Sequence, residues 1–247
     1  MELLRAEGID KSYGAKQVLG GVNLTLREGE LVCLLGVSGC GKTTLFNVLS
    51  GLERPDSGKV FLNGEEITGK PGQVSYMLQK DLLFPYRKVI DNVCLPLILG
   101  GMKKKEARQK AEPLFETFGL AGTQYKYPAQ LSGGMRQRAA LLRTYLSSHG
   151  AALLDEPFSA LDTITKGMIH RWYLEVMEKI KLSTLFITHD IDEAVLLSDR
   201  IYILSGQPAA ISHEIVIDTP RPRAEDFSLT PAFLAYKKQV LSCLHLS

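Results

Sequence analysis

Short apolar runs alternate with helical patterns along most of the chain. Apolar runs of strand length occur at residues 30–35, 74–78, 151–154 and 184–188, and apolar residues at helical spacing follow several of them. Strands that alternate with helices predict an α/β fold, with a mostly parallel sheet and helices on both faces. The first thirty residues are rich in β-formers with partial alternation, which predicts a small antiparallel β region.

The middle and the end of the chain carry helical patterns. Apolar residues recur at helical spacing from Lys103 to Phe118, but Pro113 falls inside the pattern, so we expect a kink or a restart there. Ser132 precedes a second helix. A Pro/Arg link at residues 220–223 precedes an amphipathic helix at the end of the chain. Asn63-Gly64 between two β-forming runs predicts a hairpin.

One glycine-rich stretch carries recognisable chemistry. Residues 36–44 match the pattern G-x-x-x-x-G-K-[ST] of a phosphate-binding loop, with a strand pattern before it and a helix pattern after it. The glycines let successive N–H groups point at anionic oxygens, and the helix N-terminus favours negative charge. Lys42 would reach the β- and γ-phosphates, and Thr43 would offer a hydroxyl to magnesium. The expected nucleotide contacts are Gly36, Ser38, Gly39, Cys40, Gly41, Lys42, Thr43 and Thr44.

Polar residues follow three further strand patterns. Gln79, the pair Asp155-Glu156 and His189 each come at the end of an apolar run. Ligands of parallel sheets bind beyond the carboxyl ends of the strands, so these side chains should lie near the phosphate-binding loop. Asp155 can hold magnesium, Glu156 can polarise a water, and His189 can bond the γ-phosphate or that water. Taken singly, each also fits a structural role, such as a strand cap or a satisfied core histidine.

Two other features are compatible with nucleotide binding. The segment Ser132-Gly133-Gly134 stands at the start of a predicted helix and has no bulky side chain that would block the helix N-terminus. Such a helix N-terminus can receive a second anion. The ring of Tyr13, between the first two β runs, could stack on a purine, but core packing explains an aromatic residue there equally well.

The segment from 80 to 101 differs from its surroundings because it is apolar and interrupted by two prolines. A regular core helix tolerates such prolines poorly, so loops and short helices are expected. Residues 80–99 then form either an apolar docking surface or a satellite of the core.

Composition limits the classes of function. A net charge of +2 gives no basic field for nucleic acid, so no nucleic-acid partner is expected. No stretch approaches the about 20 apolar residues of a membrane-spanning helix, and the N-terminus lacks a signal-peptide pattern, so a cytosolic location is expected. The four cysteines lack the spacing of metal ligands.

These motifs together resemble those of the ATP-binding subunits of ABC transporters. Leu131 to Met135 is similar to the signature segment of that family, and Leu153 to Glu156 to its Walker B motif. Gln79 resembles the Q-loop residue, His189 the switch histidine and Tyr13 the adenine-stacking aromatic. Residues 159–162 resemble the D-loop, which implies that Asp162 lies near nucleotide. Met135 stands where glutamine is more common in the family.

The resemblance implies an ABC ATPase domain over residues 1–220, with a P-loop NTPase core, an N-terminal antiparallel β subdomain and a helical subdomain at about 80–150 that carries the signature. Residues 221–247 would form a tail. ATP and Mg²⁺ are the implied cofactors. The implied catalytic residues are Gln79, Glu156 and His189, and the implied metal-binding residues are Thr43, Gln79 and Asp155.

The resemblance also implies partners. Two copies would form a head-to-tail, ATP-dependent homodimer, with Ser132 and Gly134 of one copy closing over ATP on the other. Residues 80–99 would dock on membrane permease subunits at the cytoplasmic side of the membrane, and a solute-binding protein would take part indirectly. A narrower resemblance is to the ATP-binding subunits of importers for nitrate, sulfonates, taurine or pyrimidine precursors of thiamine. It is carried by Phe158 and by residues 188–194 and 220–223. An exporter subunit or an ABC-type ATPase not coupled to transport are the alternatives.

Overall fold

The computed structural model describes residues 1–159, 163–224 and 226–245. In chain order, the strands of these residues are β1 (Glu2–Tyr13), β2 (Lys16–Arg27), β3 (Leu31–Leu35), β4 (Ser57–Leu62), β5 (Glu65–Glu66), β6 (Ser75–Met77), β7 (Ala151–Asp155), β8 (Ser183–Ile187), β9 (Arg200–Ser205) and β10 (Ala210–Val216). The helices are α1 (Lys42–Leu49), α2 (Val89–Val93), α3 (Leu95–Leu99), α4 (Lys104–Ala111), α5 (Leu114–Thr117), α6 (Gly133–Leu146), α7 (Thr163–Ile180), α8 (Ile191–Leu197) and α9 (Pro231–His245). Short 3-10 helices lie at Pro128–Gln130 and Phe227–Leu229.

The strands form two sheets. The first has the order β2-β1-β4-β5 and antiparallel pairing throughout. The second has the order β10-β9-β3-β8-β7-β6, in which only β10 is antiparallel to its neighbour. The predicted α/β fold with a mostly parallel sheet and an N-terminal antiparallel region is confirmed.

The parallel sheet is covered on both faces, which is why its strands read as continuous apolar runs. Every residue of β3 and β8 is buried. Leu31, Cys33 and Leu35 point to one face, where they join the core formed with the helices after α1, including α6 and α7. Val32 and Leu34 point to the other face and join a core with α1 and the antiparallel sheet.

A proline divides one of the helical segments between β6 and β7. The helical pattern from Lys103 to Phe118 is divided into α4 and α5, and Pro113 stands at the N-cap of α5, so the predicted restart is confirmed. The hairpin at Asn63-Gly64 is also present, but its second strand, β5, has only two residues instead of the expected four.

The Pro/Arg link at residues 220–223 is bonded to the body of the fold. The guanidinium of Arg223 donates to the carbonyl oxygens of Val195 and Leu196 at 2.9 and 2.7 Å and to that of Ser198 at 2.7 Å. These are the carbonyl groups at the C-terminal end of α8, which a cation stabilises. Arg221 forms an ion pair with Asp199 at 2.7 Å.

Helix α9 continues this packing of the tail on α8. Phe233 and Val240 of α9 are buried in the core, and Lys237 pairs with Asp192 of α8 at 2.5 Å. The described residues of the tail, 221–224 and 226–245, therefore contact α8 both at its C-terminal end and in its first turn. No helix of the described ranges is long and apolar enough to cross a membrane.

A buried charge cluster joins the two sheets. Arg200, 4% exposed, donates to Glu30 at 2.6 Å and to the carbonyl oxygen of Thr25 at 2.8 Å. Glu30 is itself buried, and Glu214 adds a second carboxylate at 2.8 Å from Arg200. A buried pair of this kind is costly to break from one side, because the remaining charge is left without a partner.

We expect Arg200→Met to lower the free energy of unfolding by about 3–5 kcal/mol, since Glu30 would stay buried without its cation. The measurement is urea unfolding followed by circular dichroism. Lys59→Met is the matched control, because the Lys59–Glu66 pair is about half exposed on both sides and should contribute little. Equal effects of the two variants would contradict this account of the Arg200 cluster.

Candidate functional site

The phosphate-binding loop connects β3 to α1, and its glycines are required by close packing. A Cβ on Gly36 would lie 2.5 Å from the carbonyl oxygen of Leu204, and one on Gly41 would lie 2.9 Å from Val18. Gly41 also has a φ of 108°, a conformation that side-chain-bearing residues rarely adopt. The Lys42 ammonium donates to the carbonyl oxygens of Gly36 and Val37 at 2.8 and 2.9 Å, so it lies over the loop.

Three of the predicted polar residues meet beyond the ends of β6, β7 and β8. The Gln79 amide donates to one carboxylate oxygen of Glu156 at 3.0 Å, and Nδ1 of His189 lies 3.2 Å from the other. Glu156 is therefore held between the two side chains. Their positions after apolar runs predict that these residues lie near one another, and the structure brings them into direct contact.

Glu156 has an unusual backbone as well as a central position. Its φ of 45° lies in the left-handed region, and its N–H donates to the carbonyl oxygen of Ile187 at 3.0 Å. The left-handed conformation turns the chain sharply after β7, and the hydrogen bond to Ile187 joins this turn to the end of β8. Strained backbone of this kind often accompanies functional residues.

Asp155, the last residue of β7, is partly buried and lines the cleft beside the phosphate-binding loop. The cleft, of about 340 Å³, is lined by Ser38, Gly39, Gly41, Lys42, Thr43, Thr44, Asp155 and Glu156, together with Val18 and Ile187. Burial raises the pKa of Asp155, while the hydrogen bond from Tyr76, at 3.3 Å, and the charge of Lys42 act in the other direction. A cation in the cleft would therefore stabilise the ionised carboxylate.

Tyr13 is half exposed at the end of β1, with 48% of its surface accessible, so the core-packing alternative is wrong. Its hydroxyl donates to Glu53, which also accepts from Asn47 of α1 at 2.8 Å. The ring is thus tied to the helix that follows the phosphate-binding loop while one part of it remains accessible to a ligand.

The segment Ser132-Gly133-Gly134 lies apart from these residues. Ser132 caps α6, since its hydroxyl accepts the N–H of Met135 at 3.3 Å. A Cβ on Gly133 would meet only Arg136, at 4.0 Å, so the end of the helix is open. None of the three residues lines the cleft of the phosphate-binding loop. The predicted Asp162 lies outside the described residues.

The apolar segment 80–99 divides between the two roles considered for it. Val89, Ile90 and Val93 are buried in the core, whereas Phe84 and Tyr86 are 49% and 93% exposed. The side chain of Asn92 is fully buried and fixes the backbone of the exposed loop. It accepts the N–H of Phe84 at 2.6 Å and donates to the carbonyl oxygen of Phe84 at 3.1 Å. Sequence reasoning missed Asn92, because its role depends on the loop conformation.

The loop after Gln79 is also tied to α6. Arg143 donates to the carbonyl oxygen of Asp81 at 2.6 Å, and Arg136 pairs with the Asp81 carboxylate at 3.2 Å. The two arginines thus connect α6 with the exposed loop.

Comparison with known proteins identifies the family. Residues 19–159, more than half of the chain, match the family described as ABC transporter. The chain belongs to the ABC transporter family of ATP-binding cassettes. The predicted function of an ATP-binding, ATP-hydrolysing subunit is confirmed at this level.

Several curated relatives are ATP-binding subunits of importers. The chain is 45% identical to the formylaminopyrimidine import ATP-binding protein ThiZ of Halalkalibacterium halodurans over 84% of this chain and 81% of that protein. It is 36% identical to the nitrate import ATP-binding protein NrtD of Synechocystis over 94% of this chain and 89% of that protein. The importer branch expected from Phe158 and from residues 188–194 and 220–223 is confirmed.

Solved structures give the same result for the fold. A bacterial ABC transporter cassette solved as a dimer is 28% identical and superposes with a TM-score of 0.74, covering 88% of this chain and all of that chain. A second structure of a cassette, in a post-hydrolysis state bound to ADP and phosphate, is 27% identical with a TM-score of 0.72, over 88% of this chain and all of that chain.

Cys40 provides a chemical probe of the phosphate-binding loop. Its thiol is partly exposed, whereas Cys33, Cys94 and Cys243 are buried. We expect a maleimide to label Cys40 in the folded chain and ATP to protect it. ATP at about 100 times its Kd leaves about 1% of sites free, so labelling should slow by up to about a hundredfold. Mass spectrometry gives the rate, with Cys40→Ser as the control. Equal labelling with and without ATP would contradict the assignment of the loop.

Proposed function

We propose that the chain hydrolyses ATP at the Gln79–Glu156–His189 contact and thereby energises an ABC importer for a small solute. The contact itself carries the proposal. A carboxylate with an amide at 3.0 Å on one oxygen and an imidazole at 3.2 Å on the other is arranged to hold and polarise a water. The loop that would bind the phosphates ends in the same cleft.

Each residue then has a defined task. The Glu156 carboxylate accepts a hydrogen bond from the attacking water and draws its proton as the water approaches the γ-phosphate. His189 bonds the γ-phosphate and, with Gln79, fixes the direction of the carboxylate. Lys42 and the loop N–H groups stabilise charge on the phosphate oxygens. Tyr13 would stack on the adenine.

The residues of the cleft fit a magnesium ion. Among the described residues no group of three or more His, Cys, Asp or Glu side chains is arranged to hold a metal. Mg²⁺ does not need such a group, because it binds one or two protein ligands together with phosphate oxygens and water. Asp155 and the Thr43 hydroxyl line the same cleft and would hold the ion, with Gln79 bonded to the adjacent Glu156. The ion would neutralise developing phosphate charge.

We further propose that the active form is a head-to-tail homodimer. Ser132, Gly133 and Gly134 form an open helix N-terminus that does not line the cleft of their own chain, so they are free to contact nucleotide on a second copy. Asp162, through its resemblance to the D-loop residue, would also bind the nucleotide. A related cassette was solved as a dimer, which supports this arrangement.

The exposed part of residues 80–99 would dock on the permease subunits, at the cytoplasmic face of the membrane as a peripheral protein. A solute-binding protein would act on the same complex indirectly, and no nucleic acid takes part. Relatives named for import of formylaminopyrimidine, nitrate and aliphatic sulfonates support a cargo of that class, such as nitrate, a sulfonate, taurine or a pyrimidine precursor of thiamine.

Glu156→Gln should lower kcat by about a hundredfold or more while ATP binding persists, because the amide cannot accept the proton of the water. Since hydrolysis would no longer open the dimer, ATP should trap it. Phosphate release and size-exclusion chromatography with ATP measure the two effects. Glu178→Gln, the same change at an exposed position of α7, should behave as the wild type. Fast turnover by Glu156→Gln would exclude Glu156 as the base.

Replacing Phe84 and Tyr86 by alanine should uncouple transport and weaken membrane association. Basal ATPase activity should stay within about twofold, because both side chains are exposed and lie outside the cleft. The test is co-expression with the permease subunits, followed by membrane sedimentation and ATPase assay of the purified chain. Leu229→Ala, an exposed apolar residue elsewhere, is the control. Unchanged membrane association would mean that the docking surface is wrongly assigned.

A further inference from the structure

A buried carboxylate lies next to the His189 loop and takes no part in the site described above. Glu193 of α8 is 3% exposed. It accepts a hydrogen bond from the Thr188 hydroxyl at 2.5 Å, and its other oxygen lies 2.9 Å from Lys166 and 3.4 Å from Nε2 of His170. We refer to Glu193, Thr188, Lys166 and His170 as the Glu193 cluster.

The cluster keeps Glu193 ionised in spite of its burial. Burial alone would raise its pKa, but the neighbouring His170 and Lys166 and the hydrogen bond from Thr188 outweigh that effect and lower the pKa to about 2. A charged group inside a protein persists only when its partners compensate for lost water. The compensation here comes from two separate elements, the strand end at Thr188 and the helix α7.

The cluster fixes the chain on both sides of His189. The Thr188 hydroxyl, beyond donating to Glu193, accepts the N–H of Asp190 at 3.1 Å. The Asp190 carboxylate accepts the N–H groups of Asp192 and Glu193 at 2.9 and 3.3 Å, which caps α8, and receives Lys166 at 3.4 Å. The His189 side chain itself is 64% exposed, so its placement depends mainly on these neighbours.

The same cluster reaches the loop that carries Glu156. The His170 ring packs edge-on against Phe158, with the ring centroids 4.8 Å apart. Phe158 is buried and lies two residues after Glu156. The cluster therefore contacts both loops whose side chains meet at 3.2 Å in the site.

We propose that Glu193 is a positioning residue for ATP hydrolysis, which holds His189 beside Glu156 through Thr188 and α7. The inference rests on the proposed roles of Glu156 and His189. A structural role alone, in which Glu193 only packs α8 on α7, would lower stability without affecting one catalytic step.

Glu193→Gln keeps the shape of the side chain but removes the charge that pairs with Lys166. Thr188→Val removes the hydroxyl and leaves the charges in place, and it serves as a second variant if the first folds poorly. We expect each to lower kcat about tenfold, which corresponds to about 1.4 kcal/mol. The Kd for MANT-ATP in EDTA should change by less than about twofold, since the phosphate-binding loop is untouched.

Asp192→Ala is the matched control, because it removes a neighbouring α8 carboxylate that faces Lys237 of the tail. Its kcat should stay at the wild-type value. Glu193→Gln and Thr188→Val are also combined with His189→Ala, and single-turnover release of radiolabelled phosphate gives the hydrolysis rate. In that background neither change should lower the rate further. An additive loss, an equal loss in Asp192→Ala, or a change in Kd without a change in kcat would each overturn the proposal.

Hydrogen exchange separates this inference from the proposed function. If Glu193 holds the loop, amide exchange over residues 187–191 should speed up about tenfold in Glu193→Gln and stay unchanged in Asp192→Ala, whether or not the chain turns over ATP. Unchanged exchange in Glu193→Gln would show that Glu193 does not position His189. A wild-type chain that binds but does not hydrolyse Mg-ATP would contradict the proposed function instead.

Discussion

The site depends on the parallel register of β3, β8, β7 and β6. Asp155 pairs with Ile187, and Leu154 pairs with Met77, so neighbouring strands end at nearly the same level. A slip of one residue would turn Asp155 to the other face of the sheet and move Glu156 out of reach of His189. Both faces of these strands are packed in close-fitting cores, so a slip would require every side chain to repack. The packing of the core therefore determines the geometry of the polar edge.

Sequence was sufficient for features that depend on local pattern. The phosphate-binding loop, the strands before Asp155 and His189, and the interruption at Pro113 are all encoded within a few residues. The contacts of Arg223 with the end of α8 were not predictable, because a Pro/Arg stretch has the local signature of a link and its acceptors are backbone carbonyl groups distant in sequence. Glu193 was missed for a similar reason: its meaning depends on Lys166 and His170, which only the packing of α7 on α8 brings near.

The phosphate-binding loop is enclosed by parts of both sheets. Gly36 lies against the end of β9 at Leu204, and Gly41 lies against Val18 of β2. Gly20 of β2 packs against the turn between β9 and β10. A Cβ on Gly20 would lie 2.7 Å from Pro208 in that turn, so a side chain does not fit there. Since close-packed interiors transmit strain, a rotation of the antiparallel sheet on the parallel sheet would press on the loop.

The tail contacts α8 at both of its ends, through Lys237 near its first turn and Arg223 at its last carbonyl groups. In thermodynamic terms, the tail acts as a ligand of α8 that is present at a high effective concentration because it is part of the same chain. Coupling between two binding events is reciprocal. If nucleotide binding shifts α8, it changes the free energy of tail packing by the same amount by which tail packing changes the free energy of nucleotide binding.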